Sequence, residues 1–68
     1  MIPVNSSHLS AVDYDITSET LTIEFNDGSL YEYYNVPHRI YEELINATSK
    51  GKFFHNFIRD VYITRKIR

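Results

Sequence analysis

Three imidazoles, His8, His38 and His55, are the first place to look for chemistry, because histidine both shuttles protons near neutral pH and ligates metals. They stand thirty and seventeen positions apart, with no H-E-x-x-H or comparable local spacing. The chain has no cysteine, which removes a thiolate zinc site and a disulfide framework. Ser6-Ser7-His8 holds a nucleophile and a base in composition, but sequence neighbours rarely face one another in productive geometry. Asp13 with Asp15, and Glu42 with Glu43, lack the separation and asymmetry of an acid and base pair. Two glycines cannot build a Walker or Rossmann phosphate loop. The expectation is no catalytic residue, no metal and no cofactor.

Anion binding is the chemistry the residues do suit. In Thr48-Ser49-Lys50-Gly51-Lys52, two lysines fall in the first turn of an expected helix, where the macrodipole disfavours cations by roughly 0.3–1 kcal/mol each. Gly51 weakens the same turn. Free amides, a hydroxyl and two ammoniums at Ser49, Lys50, Gly51 and Lys52 together suit a phosphate or carboxylate. Arg59, two turns on, extends the patch, and Arg65, Lys66 and Arg68 follow. The charges are unevenly divided: residues 1–48 carry eight acids against Arg39, a net of −7, and residues 49–68 carry +5. A basic tail kept on one face attracts phosphate; one folded evenly over the acidic part is neutralised. The plain alternative is that Lys50 and Lys52 are solvated and Gly51 only permits a tight turn between helices.

The elements that must position these groups follow from periodicity. Leu21-Thr22-Ile23-Glu24-Phe25 alternates as a strand, with Ala11 to Tyr14 a weaker strand before it. Asn26-Asp27-Gly28 is a hairpin signal leading into Leu30 to Tyr34, which completes a three-stranded antiparallel meander. Loop length decides what Tyr31 and Tyr33 do. A two-residue type I′ turn at Asp27-Gly28 opens both tyrosines to solvent but sets Glu32 across from Ile23 in the core. A three-residue loop with Gly28 left-handed sets Ile23 across from Tyr31 and Leu21 across from Tyr33, with Glu32 outside. An unpaired core carboxylate costs on the order of several kcal/mol, so the second register is preferred and the tyrosines face inward.

Beyond Pro37, which suits a first helical turn, Ile40, Tyr41, Leu44, Ile45 and Ala47 recur at helical spacing. Ser49 and Thr48 are N-cap types that start a second short helix, whose Phe53, Phe54, Phe57 and Ile58 form an apolar stripe read as core. Val61 to Thr64 alternates as a short C-terminal strand would. The fold class is therefore α+β: a three-stranded antiparallel meander followed by two short helices packed on one face, with that C-terminal strand allowed. At 68 residues there is one domain, and its 15% aromatic content offsets its small size. No apolar run approaches a membrane span and the N-terminus lacks a signal-peptide pattern, which reads as a cytoplasmic chain. Nothing in the pattern requires a dimer.

Ser6-Ser7, Val12, Tyr14-Asp15, Leu21 to Phe25, Gly28, Tyr31-x-Tyr33, Val36-Pro37, Tyr41, Ala47-x-Ser49-Lys50-Gly51, Phe53-Phe54 and Ile58-Arg59, in this order, resemble the KTSC domain family. The resemblance runs from Asn5 to Tyr62. Asp13 departs from it where glycine is usual, and His55 where asparagine is common. The family resemblance implies a small bacterial domain, either free-standing or at the C-terminus of a lysyl-tRNA synthetase, and suggests RNA as a partner. Two functions are thus carried forward. One is a non-enzymatic RNA-binding module contacting phosphates through Lys50, Lys52, Arg59, Arg65, Lys66 and Arg68, with Tyr31, Tyr33 or Tyr62 stacking where exposed. The other is a protein-interaction or accessory domain that binds no nucleic acid.

Overall fold

The bend at Asn26 to Gly28 sets the inner surface of the sheet. The Phe25 N–H donates to the Ser29 carbonyl and the Gly28 N–H to the Phe25 carbonyl, both at 2.9 Å, enclosing three loop residues. Gly28 takes φ of +88°, the left-handed conformation that glycine adopts without a Cβ clash. Ile23 then lies opposite Tyr31, Leu21 opposite Tyr33 and Thr22 opposite Glu32. This is the three-residue register, and Glu32 stays out of the core, where its Oε1 accepts the Tyr34 hydroxyl at 2.8 Å.

A computed structural model describes all residues 1–68. The elements are β1 (Ile2–Pro3), β2 (Leu9–Asp15), β3 (Thr20–Phe25), β4 (Leu30–Tyr33), α1 (His38–Asn46), α2 (Lys50–Phe57) and β5 (Thr64–Lys66). The five strands form one antiparallel sheet in chain order. Between Leu9 and Ala11 the register shifts, with Leu9 opposite Phe25 and Ala11 opposite Glu24. The extra residue, Ser10, forms a bulge. Because of it, Leu9 and Val12 both reach the inner face despite their odd spacing, and both are fully buried. Ser10 donates its hydroxyl to Glu24 Oε1 at 3.1 Å on the other side.

The helices cover the inner face with few residues. Pro37 ends the extended segment as the N-cap of α1, which buries Ile40 and Leu44. Ser49 caps α2, its hydroxyl accepting the Lys52 N–H, and α2 buries Phe54. These three side chains close over Leu9, Val12, Leu21, Ile23, Tyr33, Val36 and Ile58 to complete the core. Tyr14, at the end of the sheet, donates its hydroxyl to the Val36 carbonyl at 2.6 Å and stacks on Tyr41 with centroids 4.9 Å apart.

Three expectations need correction. The α2 stripe is not wholly core: Phe57 is 53% exposed and Phe53 half-buried, the two rings packing on each other at 4.9 Å. An eight-residue helix presents one line of side chains to the sheet, here Phe54 and then Ile58, and the neighbouring line faces solvent. The C-terminal strand is Thr64–Lys66, not Val61 to Thr64. The N–H groups of Val61 and Tyr62 both bond the Ile58 carbonyl, and Asp60 turns left-handed at φ +61°, so this stretch is spent reversing the chain. Finally, the meander gains β1, with Ile2 opposite Val12 and Pro3 opposite Ala11. Two residues are too short for an alternation signal, and Pro3 sits on an edge where its missing N–H is tolerated.

Candidate anion-binding groove

The Ser6 hydroxyl accepts the N–H groups of His8 and Leu9, at 3.2 and 3.3 Å, and so fixes the turn that delivers Ser7 and His8 against the start of α2. The His8 ring lies over Gly51 so closely that a Cβ there would stand 2.8 Å from Cδ2. Glycine at this position is what lets the loop and the helix meet. Two hollows, of about 620 and about 500 Å³, open beside the His8 ring and share Ser7, His8, Phe25, Phe54 and Arg59. Together they form one groove across the end of the sheet.

One half of the groove is basic. Ser49, Gly51, Lys52, His55 and Arg59 line it. Lys52 is exposed and makes no ion pair, whereas Lys50 turns back to donate its Nζ to the Ala47 carbonyl at 3.2 Å. Arg59 Nη1 lies 3.4 Å from His55 Nδ1, a contact in which the guanidinium can only donate. Arg59 Nε is 3.9 Å from the exposed Asp60 carboxylate, a loose contact that leaves the guanidinium available.

The other half is walled by Asn26, Asp27, Ser29, Asp60 and Thr64 over an aromatic floor. Phe25 meets Tyr31 and Phe54 edge-on, with centroids 5.5 and 5.3 Å away, and Tyr33 meets Phe54 edge-on at 5.6 Å. Tyr33 is 5% exposed and lines the groove from below. Burial pushes its pKa up, opposed by the Thr64 hydroxyl and the Arg59 charge. Asp27, bonded by the Ser29 hydroxyl at 2.6 Å and the Ser29 N–H at 2.9 Å, is held below the usual carboxylate range by those two donors, with Lys66 adding to the effect.

Of the residues expected to bind anions, the groove brings together Ser49, Gly51, Lys52, Arg59, Tyr31 and Tyr33. Tyr31 and Tyr33 contribute as floor, half-buried and buried respectively, rather than as an open stacking platform. The C-terminal basic residues do not join this patch. Strand pairing sets Arg65 opposite Glu32, and Arg68 Nη2 pairs with Glu24 Oε2 at 2.8 Å, both on the outer face of the sheet. Lys66 lies opposite Tyr31 near the Asp27 carboxylate. The +5 tail is thus divided between two surfaces, with Arg59, Arg65, Lys66 and Arg68 each beside a carboxylate. What sequence reasoning missed is His8 with Ser7, Asn26, His55 and Thr64. His8 and Gly51 are 43 positions apart, and no local pattern joins them. No group of three or more potential metal ligands converges anywhere, and no helix is long and apolar enough to cross a membrane.

A bulged antiparallel sheet with two short helices on one face, and a groove where an N-terminal serine turn meets the glycine of the second helix, defines a class of small α+β domain. Residues 5–62 match the KTSC domain, and the chain belongs to that family. A KTSC domain protein from Yersinia pestis has the same fold, with a TM-score of 0.94 at 36% identity, covering 97% of this chain and 93% of that one. A lysine–tRNA ligase of Nostoc sp. is 48% identical over 59 residues, 87% of this chain but 10% of the ligase. A protein of Tsukamurella paurometabola is 36% identical over 59 residues, which make up 88% of its own length. The domain therefore occurs both inside a much longer protein and nearly alone.

Proposed function

We propose that this chain is a non-enzymatic nucleic-acid-binding module that takes RNA phosphate in the groove between the Ser6-Ser7-His8 turn and α2. The observation that carries the reading is Lys52 and Arg59 opening onto one groove with an aromatic floor, Lys52 without a carboxylate partner. Ser49 and Gly51 add a hydroxyl and amide groups at the positive end of the helix. Lys50 and Lys66 raise the local potential from nearby, while Arg65 and Arg68, facing Glu32 and Glu24, contribute little. Kinship with a segment of lysine–tRNA ligases supports RNA as the polyanion and the cytoplasm as its setting.

Binding to unfractionated tRNA at varied salt tests this. Two to three phosphate contacts to single-stranded RNA lower affinity about 7- to 20-fold between 50 and 200 mM salt. Amide shifts are expected at Ser49 to Lys52 and around His8. A titration in which none of these amides moves refutes the proposal. A second reading, a protein-docking accessory domain, is favoured by the exposed Phe57, Val61 and Ile63, at 53%, 60% and 75%. It predicts no salt-dependent tRNA binding at all.

A further inference from the structure

The groove has two chemically different ends, and phosphate binding uses only one of them. We infer that it selects a single unpaired nucleotide whose base carries an exocyclic amine, with phosphate at Lys52 and Arg59 and base at the Asn26–Thr64 end. This rests on the reading of the groove as an RNA site and names what that site takes.

Acceptors dominate the second end. Asn26 donates its Nδ2 to the Ser6 carbonyl at 3.3 Å, which leaves its side-chain oxygen free to accept. Thr64 donates its hydroxyl to the Glu32 carbonyl at 2.8 Å and neighbours the Tyr33 phenol, so at most one lone pair remains for a further donor. The Asp60 side chain is 92% exposed and only loosely held by Arg59. Tyr33, buried to all but 5%, lines the floor of this hollow. A cytosine N4 or adenine N6 amine donates to the Asn26 oxygen and the Asp60 carboxylate, whereas uracil sets a carbonyl oxygen against that carboxylate. Phe25 and Tyr31 line the same hollow and give a flat base apolar contact. Each hollow falls within the size range of small-ligand sites. A duplex keeps its bases stacked inside, so it would reach the phosphate end only. Duplex readers of known kind follow about 16 base pairs, more than this domain can with a longest extent of 27 Å.

The test compares oligocytidine and oligouridine hexamers with a blunt RNA hairpin, using the wild-type chain and Asp60→Asn. The pyrimidine pair matches ring size and charge, and Asn tolerates the left-handed backbone of residue 60. The expected result is oligocytidine binding about 2- to 10-fold tighter than oligouridine, the worth of one net hydrogen bond, with the hairpin weaker than both. Asp60→Asn narrows the gap by weakening oligocytidine relative to oligouridine, because an amide oxygen accepts less strongly than a carboxylate. Equal binding of all three RNAs with the expected salt dependence overturns the inference and leaves the RNA site standing. An unchanged cytidine preference in Asp60→Asn also overturns it, and no binding of any RNA removes both.

Discussion

Replacing each glycine by alanine separates two structural reasons for having no side chain. At Gly51 the backbone is helical and alanine is the better helix former, by up to about 1 kcal/mol. Against this, the new methyl meets His8 Cδ2 at 2.8 Å, so the ring must retreat by roughly 1 Å to reach ordinary contact. His8 is tethered through its backbone, with its N–H on Ser6 and its carbonyl accepting from Asn26, so χ1 can rotate without breaking either bond. The net expectation is a change between zero and about 1 kcal/mol in favour of folding, raising Tm by no more than about 4–8 °C. The retreating ring nevertheless narrows or distorts the groove, and tRNA affinity falls. At Gly28 nothing lies within 4 Å of the added Cβ, yet φ is +88°. Alanine there costs about 1–2 kcal/mol of backbone strain alone, with Tm lower by the corresponding amount. Thermal melts and tRNA titrations of both variants make the assay. If Gly51→Ala destabilises as much as Gly28→Ala, the turn bearing His8 is locked in place. If it binds tRNA like the wild type, the apposition of His8 and Gly51 does not shape the site.

Lys52→Ala removes a charge with no intramolecular partner, so Tm should stay within experimental scatter while the slope of log affinity against log salt falls by about 0.7. Tyr14→Phe deletes the 2.6 Å bond to the Val36 carbonyl at the mouth of the core, and urea unfolding should show a loss of about 0.5–1.5 kcal/mol. Burial raises the folded-state pKa of both Tyr14 and Tyr33 above the ordinary 10.0. The folded chain therefore holds those protons more tightly than the unfolded chain does. Their contribution is intact below that value and is lost as pH climbs through the raised ones, so stability should decline in that alkaline window. Tyr33→Phe should flatten the decline.

The parts of the fold legible in the sequence are those where one physical cost outweighs the rest. A carboxylate opposite Ile23 would be so costly that loop length at Asn26 to Gly28, and with it the whole inner face, follows from Glu32 alone. The α1 stripe and the Ser49 cap follow from local periodicity and capping chemistry. The bulge at Ser10 leaves no comparable trace, because its cause is the need to bring both Leu9 and Val12 inward, a tertiary demand. The C-terminal strand was displaced because alternation in Val61 to Thr64 competes with a chain reversal hung on the Ile58 carbonyl. The site was half legible. Gly51 and Lys52 share α2 and Arg59 follows just past its end, close in sequence, but His8 and Thr64 arrive through sheet order, which single-residue chemistry does not encode.

Sheet order also explains how a chain with net charge −2 keeps an anion site. Eight of its nine acids precede residue 49, and the meander spends several of them on the outer face or at turns: Glu24 and Glu32 outside, and Asp27 bonded to Ser29. When β5 adds to β4, Arg65 and Arg68 are drawn to those outer carboxylates. The groove side is left with Lys52 and Arg59, with Lys66 close by, and Asp27 and Asp60 are the acids beside them. Charges on opposite faces of a sheet are separated by roughly one Debye length at physiological salt, so the two surfaces act on a ligand almost independently. The sign of the whole chain therefore says little about the groove.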